Sequence, residues 1–238
     1  MERTFRYTRT IPVAGHYDVV ICGGGPAGIG AAVAAAENGA RTALIERFGF
    51  LGGMATAGYV DPMSEFAYNG RRITGGIPWR FVQELLAAGG ALIEEPRCNV
   101  SFDPEKYKLV AQRMVEKAGA ECFMNTYLAD CVMDGSSVRG AVVVSKSGME
   151  LIEGDYFIDA TGDADLAHFA GVPMQEQKRD RQPGTLCFVL SGVDTSTERN
   201  RSVRSGSTGW SPFRWRMNWR SAASVFVSST GAFWTRCT

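Results

Sequence analysis

Hydrophobic and polar positions near the start of the chain predict a strand, a glycine turn, a helix and a second strand. Tyr17–Cys22 is a short apolar run rich in β-branched residues, which predicts a buried parallel strand. The small residues of Gly30–Asn38 predict a helix that packs close to a sheet, and Gly39 is placed to end it. Arg41–Glu46 predicts a second strand, so the segment has the size of a β-α-β crossover unit.

The rest of the pattern predicts an α/β protein with a parallel sheet and a small β-meander. Asp103 is placed as the N-cap of a helix that ends at Gly119. An Asp-Gly turn and a Ser-Gly turn divide Ala129–Glu153 into the meander. The other predicted elements are a helix over Trp79–Leu86, strands over Glu121–Leu128, Asp155–Ala160 and Thr185–Leu190, a short helix over Ala164–Ala170, and an irregular loop over Gly49–Gly58.

The glycine turn carries the motif G-x-G-x-x-G, formed by Gly23, Gly25 and Gly28, with Pro26 and Ala27 inside it. In this motif the first glycine permits a tight turn, and the second lets the backbone approach a pyrophosphate. The third lets the helix sit close to the strand. The helix N-terminus favours a phosphate through its free N–H groups and its dipole. An ordinary strand-turn-helix corner is the alternative, but the position between a strand and a helix favours a nucleotide site.

Glu46 ends the second predicted strand, 18 residues after the last glycine of the motif. A carboxylate at this position can accept both hydroxyls of an adenosine ribose. It would repel a 2′-phosphate, so NADP is disfavoured. The alternative is a solvated acid at a strand end. Its neighbour Arg47 either flanks the adenine or is simply exposed.

Two further segments extend the candidate site. Leu51–Thr56 contains two glycines that would let a loop pass close to a flat or charged group, although a mobile loop is the alternative. Asp159–Asp165 places a turn of small residues at the carboxyl edge of the sheet, where ligands bind in open α/β folds. The ordinary interpretation of Asp163 and Asp165 is that they are N-caps of the next helix.

Three motifs in order resemble the FAD-dependent oxidoreductases of the glutathione-reductase-like fold. They are D-V-V-x-x-G-G-G-P-A-G at Asp18–Gly28, E-R-x-x-x-L-G-G-M-A-T-A-G at Glu46–Gly58, and D-A-T-G-D-A-D-L-A at Asp159–Ala167. The resemblance covers roughly residues 11–195. It implies non-covalent FAD, with the flavin near Gly52–Thr56 and the strand Asn125–Ala129 beside the adenine. The residues expected at the cofactor are Gly23, Gly25, Pro26, Ala27, Gly28, Glu46, Arg47, Gly52, Gly53, Met54, Thr56, Leu128, Ala160, Thr161, Gly162 and Asp163.

The resemblance also divides the chain into regions. Residues 15–60 and 103–171 are expected to form a discontinuous FAD-binding Rossmann-type domain. Residues 61–102 and 172–198 would then be part of a substrate or cap region, in which a substrate domain starts. The family closes its flavin site with a Gly-Asp segment late in the chain, and that segment is not found in this sequence.

The character of the sequence changes after Glu198. Residues 199–238 hold seven Arg, eight Ser and four of the five Trp, but no Leu, Ile, Lys or acidic residue. The residues before this point therefore carry a net charge of −7. A basic, aromatic nucleic-acid arm is one interpretation. The favoured one is an aberrant, disordered tail that never evolved to fold, as after a frameshift, so that the chain is a C-terminally truncated form.

Composition argues against several classes of protein. The six cysteines form no C-x-x-C pair, so no disulfide framework, metal site or redox dithiol is expected. A reducing cytoplasm is therefore the expected compartment. No run of 18 apolar residues is present, so no membrane span is predicted, and the N-terminus lacks the apolar core of a secretory signal, although a transit peptide is an alternative. The only histidines, His16 and His168, are interpreted as structural or exposed, and no catalytic residue is assigned.

The leading hypothesis is an FAD-dependent oxidoreductase that acts on a small organic substrate and binds no nucleic acid. FAD would perform the hydride chemistry. A second G-x-G-x-x-G motif for NAD(P)H is absent, and so is a redox dithiol, which argues against a disulfide reductase. The alternatives are an NAD-dependent Rossmann dehydrogenase and a non-catalytic nucleotide-binding fragment.

Overall fold

The computed structural model describes residues 4–95, 97–175, 187–191, 224–227 and 233–235 of the 238-residue chain. Its helices are α1 (Pro26–Glu37), α2 (Met54–Ala57), α3 (Gly76–Ala87), α4 (Pro104–Ala118) and α5 (Asp165–Phe169). Its strands are β1 (Val13–Cys22), β2 (Thr42–Ile45), β3 (Ala67–Tyr68), β4 (Arg71–Arg72), β5 (Ala91–Glu94), β6 (Asn99–Phe102), β7 (Glu121–Phe123), β8 (Tyr127–Asp134), β9 (Ser137–Ser145), β10 (Gly148–Asp159), β11 (Phe188–Ser191), β12 (Ser224–Val227) and β13 (Phe233–Thr235). Within the described ranges, no helix has both the length and the apolar character needed to cross a membrane.

The main sheet has six strands in the order β7-β2-β1-β10-β9-β8. The first four of these run parallel, and β10, β9 and β8 form an antiparallel meander. Strand β10 belongs to both parts, because it pairs with β9 as far as Glu153 and with β1 as far as Asp159. The predicted parallel sheet with a small meander is confirmed, and the strand predicted over Asp155–Ala160 is the second half of β10.

Successive side chains of β1 pack into two different cores, since neighbouring strand residues point to opposite faces of a sheet. Ile21 packs with Val33 of α1 and Val115 of α4 on one face. Val20 packs on the other face, in the cluster that contains Leu166 of α5 and residues of the meander. Both faces of the parallel strands are therefore covered, and the loops that carry chemistry converge at the carboxyl edge.

Helix α4 begins and ends where its sequence signals predict. The Asp103 carboxylate accepts hydrogen bonds from the backbone N–H groups of Glu105 at 2.9 Å and Lys106 at 3.3 Å. Gly119 ends the helix with a φ of 93°, in the left-handed region that favours glycine. Helix α1 begins at Pro26, four residues before the predicted start, because proline is well suited to a first helical position.

The single strand predicted over Glu121–Leu128 is wrong, because β7 ends at Phe123 and β8 begins at Tyr127. The backbone N–H of Thr126 donates to the carbonyl of Glu46 at 2.9 Å instead of continuing a ladder. Asn125, one residue earlier, adopts a φ of 52°. These features turn the chain toward the loop that follows β2.

The segment 49–58 was expected to be irregular, but it contains the helical turn α2. Ala55 and Thr56 of this turn are buried. The segment is therefore packed against the body of the protein, and the mobile-loop interpretation is not supported.

Residues 61–102 form the β3–β4 hairpin, helix α3 and the β5–β6 hairpin. Phe66, Val82 and Val100 belong to a separate small core in this region. The assignment of residues 61–102 to the substrate side of the molecule stays a prediction, and so do the other domain limits.

The strand predicted over Thr185–Leu190 corresponds in part to β11, while residues 185 and 186 lie outside the described residues. Strand β11 pairs antiparallel with β12, which pairs antiparallel with β13. Two short strands thus occur within 199–238, where the sequence showed no period. The remainder of this segment lies outside the described residues.

Candidate cofactor site

The carboxyl ends of the parallel strands β2, β1 and β10 meet at one edge of the sheet, and a cleft of about 610 Å³ opens there. Its walls come from the segments that follow these three strands, from α2 and from the start of β8. The predicted site residues that line it are Gly23, Gly25, Pro26, Ala27, Glu46, Arg47, Gly53, Met54, Leu128, Ala160, Thr161, Gly162 and Asp163. Three other predicted residues, Gly28, Gly52 and Thr56, are buried behind the walls.

The three glycines of the motif have different physical roles. Gly23 adopts a φ of 102°, and a Cβ there would overlap the carbonyl of Ala160. A Cβ on Gly28 would overlap the carbonyl of Gly23, so Gly28 lets α1 pack against the turn. A Cβ on Gly25 would meet only the Cα of Gly53, at 3.9 Å. Gly23 and Gly28 therefore shape the turn, whereas Gly25 leaves space in the cleft.

Helix α1 presents an uncapped N-terminus to this space. Its N-cap is Gly25, which has no side chain to accept a capping hydrogen bond, and Pro26 follows at the first helical position. Both residues line the cleft together with Ala27. The partial positive charge of this 12-residue helix therefore lies where an anionic group would be stabilised.

Glu46 is the buried acid of the cleft, with 5% of its surface exposed. Its Oε2 accepts a hydrogen bond from the N–H of Gly24 at 2.7 Å, and its Oε1 accepts one from the N–H of Phe48 at 2.7 Å. These donors fix the carboxylate and stabilise its charge. Each oxygen keeps a lone pair for a further donor. Glu46 is therefore not the solvated acid of the alternative interpretation.

Arg47 is exposed and also lines the cleft. Its guanidinium lies 4.9 Å from the centre of the Phe48 ring, which stacks on Phe50 with a centroid distance of 5.4 Å. Among the described residues that line the cleft, Arg47 is the one cation. Arg47 is thus exposed and lies over an aromatic ring at the rim of the site, and its place beside the adenine stays a prediction.

The wall that carries α2 is tied to the glycine turn through its backbone. The N–H of Gly52 donates to the carbonyl of Gly24 at 2.8 Å. Thr56 is buried and donates its hydroxyl to the backbone of the same loop. Gly53 and Met54 form the cleft surface, and Met54 is 61% exposed. Gly52 and Thr56 therefore hold the backbone behind the surface that a ligand would meet.

Asp163 and Asp165 do not cap α5 as expected. The N-cap position is Ala164, which has a φ of 59° and no capping side chain. Both aspartates line the cleft instead. The capping interpretation is wrong because N–H groups at the start of α5 are bonded by side chains from earlier residues.

Several residues of the cleft were missed by sequence reasoning. Thr126 and Tyr127 are not among them, because both lie within Asn125–Ala129, the segment expected beside the adenine, and they reach the cleft where the chain breaks between β7 and β8. Phe48 reaches it because its backbone follows the buried Glu46. Motif position alone could have identified others that lie within or beside the matched motifs. The missed lining residues are Ile45, Phe48, Ala57, Gly58 and Asp165.

No activated thiol borders the cleft among the described residues. Cys22 lies directly before the glycine turn, but burial raises the pKa of its thiol to about 12. Burial likewise raises the pKa of Cys122 to about 11. His16 and His168 are both exposed, and neither lines the cleft. Within the described part of the chain, no group of three or more His, Cys, Asp or Glu side chains could hold a metal ion.

Comparison with models of protein families shows to which family this chain belongs. The family model described as FAD dependent oxidoreductase matches residues 18–232. This chain belongs to the FAD dependent oxidoreductase family. The match confirms the resemblance carried by the three motifs, and it supports FAD as the cofactor. It also continues past residue 195, where the resemblance was expected to end.

Two thiamine thiazole synthases are similar in sequence to different shares of this chain. A thiamine thiazole synthase of Aeropyrum pernix is 30% identical over 160 residues, which cover 61% of this chain and 54% of that protein. A thiamine thiazole synthase of Methanococcus vannielii is 26% identical over 210 residues, covering 79% and 73%. This chain thus spans about half the length of the Aeropyrum relative.

One solved structure supports the fold. The L-proline dehydrogenase of P. horikoshii superimposes with a TM-score of 0.50 at 13% identity, covering 69% of this chain and 58% of that chain. At this level of identity the likeness concerns the fold alone. It agrees with the α/β architecture built around the parallel strands.

Proposed function

We propose that this chain holds FAD in the cleft and belongs to an oxidoreductase that acts on a small organic substrate. The pyrophosphate lies over Gly23–Gly28, the adenosine ribose at Glu46, and the flavin toward Gly53 and Met54. The proposal rests on two features that lie in one cleft: a buried carboxylate, and a glycine whose missing side chain leaves space beside the backbone. Glu46 is 5% exposed, and Gly25 has only Gly53 near the place of a Cβ.

The residues fit the ADP half of FAD in three respects. The uncapped N-terminus of α1 suits a pyrophosphate. The gap at Gly25 gives that pyrophosphate room beside the backbone. The lone pairs of the Glu46 carboxylate suit two ribose hydroxyls, while its charge repels a 2′-phosphate. A sugar with free hydroxyls next to a pyrophosphate is the group that satisfies all three.

When bound, FAD supplies the hydride chemistry of the reaction. The residues of this chain bind and orient it. Glu46 fixes the ribose, Gly25 admits the pyrophosphate, and Arg47 lies at the rim on the adenine side. The exposed side chain of Met54 forms part of the cleft surface on the side proposed for the flavin.

We further infer that the protein works in a reducing compartment such as the cytoplasm. The cysteines Cys22, Cys98, Cys122, Cys131 and Cys187 are free thiols. Free thiols at this frequency are typical of proteins that are kept reduced. We infer that the protein does not use this cleft to bind nucleic acid, because the described cleft is lined by three acidic side chains and a single cationic one, Arg47.

The test is the identity of the nucleotide that the protein carries. The full chain, purified and denatured, should release FAD that chromatography separates from FMN and NAD. The FAD absorbance of the intact protein should bleach with dithionite and return in air. Gly25→Val is the matched control and should release none. Release of NAD would favour the simple dehydrogenase, and failure to bind any added nucleotide would favour a non-catalytic fragment; either result overturns the proposal.

A further inference from the structure

The Asp159 carboxylate, at the end of β10, accepts three hydrogen bonds. Its Oδ1 accepts from the backbone N–H of Thr161 at 3.0 Å and from the Thr161 hydroxyl at 2.7 Å. Its Oδ2 accepts from the backbone N–H of Ala167 at 2.9 Å. One side chain therefore ties together the strand end, the turn after it and the first turn of α5.

The Thr161 hydroxyl links these parts a second time. While it donates to Asp159, its oxygen accepts a hydrogen bond from the backbone N–H of Asp165 at 2.8 Å. The N-cap residue Ala164 offers α5 no side-chain cap. Asp159 and Thr161 thus supply the capping that the helix lacks, from positions before the helix.

The turn that these two residues hold is a wall of the cleft and touches the glycine motif. The N–H of Ala160 donates to the carbonyl of Cys22 at 2.8 Å. The carbonyl of Ala160 lies so close to Gly23 that a Cβ on Gly23 would overlap it. Any shift of this turn would therefore be transmitted to the phosphate-binding turn proposed above.

Side-chain packing contributes little to holding this turn, in which Ala160 is the residue that packs against the core around Ile21. Ala160 and Gly162 offer little apolar surface, and Gly162 is exposed with a φ of 88°. Hydrogen bonds are directional and tolerate little displacement, so they can fix a short turn that packing alone does not. Three of the hydrogen bonds that fix this turn meet at the Asp159 carboxylate.

We propose that Asp159 and Thr161 are positioning residues of the cofactor cleft, which hold the turn 160–163 at the distance from Gly23 that bound FAD requires. The inference rests on the proposed function, because it concerns the same cleft. Neither residue is assigned a chemical step. Their arrangement also leaves Asp163 and Asp165 without a capping role, so both side chains are free to line the cleft.

The test compares Thr161→Val, Thr161→Ser and Thr42→Val in the full chain. Valine keeps the shape of Thr161 but removes the hydroxyl and both its bonds, whereas serine keeps them. Thr42 is a buried threonine at the amino end of β2, whereas the cleft lies at the carboxyl ends of the parallel strands. Its hydroxyl donates to the carbonyl of Ala40 at 2.9 Å. Thr42→Val therefore reproduces the loss of a buried hydroxyl away from the cleft.

FAD affinity is measured by quenching of flavin fluorescence, and the melting temperature of the apoprotein is measured alongside. Thr161→Val should weaken FAD binding about tenfold, since one hydroxyl makes two bonds of ordinary strength. Thr161→Ser should restore binding to near the wild-type value. Thr42→Val removes one hydrogen bond, so it should lower the melting temperature but leave FAD affinity unchanged.

The outcomes separate this inference from the proposed function. If the wild-type chain binds FAD but Thr161→Val binds it equally well, the positioning role is wrong and the proposed function stands. If Thr42→Val loses the same affinity, the effect is one of general stability and the positioning role is again wrong. If the wild-type chain binds no FAD, the proposed function fails, and the inference fails with it.

Discussion

Replacement of Gly25 by valine should separate cofactor binding from folding. Gly25 has a φ of −72° and a ψ of −176°, in the extended region that valine adopts readily. Pro26 already restricts the preceding residue to that region. A Cβ at this position would meet only the Cα of Gly53, at 3.9 Å. The folded apoprotein therefore has room for a Cβ at this position, and we expect the two methyl groups of valine to extend into the cleft that Gly25 lines.

The expected magnitudes have opposite signs for folding and for binding. Loss of glycine freedom in the unfolded chain should stabilise the folded state by about 0.4–1 kcal/mol. Binding should suffer, because the side chain occupies the space of the pyrophosphate and removes hydrogen bonds from it. Two lost bonds to a charged group, at about 1.5–3 kcal/mol each, correspond to a loss of affinity on the order of 100-fold or more.

The assay is a thermal melt of the apoprotein together with an FAD titration followed by fluorescence. Gly30→Ala and Gly28→Ala are the controls. Gly30 lies inside α1, and apart from its own helix no atom lies within 4 Å of the place of its Cβ, so alanine should stabilise the helix by about 0.5–1 kcal/mol and leave affinity unchanged. At Gly28 a Cβ would overlap the carbonyl of Gly23, so alanine should destabilise the fold by about 1–3 kcal/mol.

The reasoning would be refuted by either of two results. If Gly25→Val binds FAD as tightly as the wild type, the pyrophosphate does not lie at this glycine. If Gly25→Val unfolds the apoprotein as severely as Gly28→Ala does, Gly25 is a structural glycine and the space beside it is not a binding site.

Three further predictions concern ribose recognition, pH and the tail. Glu46→Ala should weaken ADP binding by about 2–4 kcal/mol in titration calorimetry, with a much smaller effect on inorganic pyrophosphate, because charge-assisted bonds to the ribose are lost; unchanged ADP affinity would contradict the assignment. Burial raises the pKa of Asp61 from 3.8 to about 6, so the folded state binds this proton more tightly than the unfolded state does. The proton therefore contributes to the free energy of unfolding below pH 3.8, and that contribution is lost as the pH rises to about 6. Asp61→Asn should flatten the pH dependence of the melting temperature in that interval, and an unaltered slope would show that another group is responsible. A chain that ends at Glu198 loses β12 and β13, which pair with β11 and with each other and do not belong to the main sheet. It should therefore keep its FAD content and melt within a few degrees of the full chain; a large loss of either would show that residues 199–238 are a folded element on which the cleft depends.

Local sequence determined the features that depend on neighbouring residues. The fingerprint glycines follow β1 and open α1, because a tight turn and a close helix require residues without a Cβ. Asp103 and Gly119 mark the ends of α4, because capping bonds join residues only a few positions apart. Glu46 could be located at the end of β2 by its distance from the motif.

Tertiary structure decided the features that depend on residues far apart in the chain. The burial of Glu46 rests on the N–H of Gly24, 22 residues earlier. The break before β8 exists because Thr126 bonds to the backbone of Glu46, and no local pattern marks that break, although the segment Asn125–Ala129 was expected beside the adenine. Helix α5 is capped by Asp159, eight residues before the N–H group that it accepts from. Propensity and periodicity describe single elements, whereas these contacts form only after the sheet has brought separate strand ends to one edge.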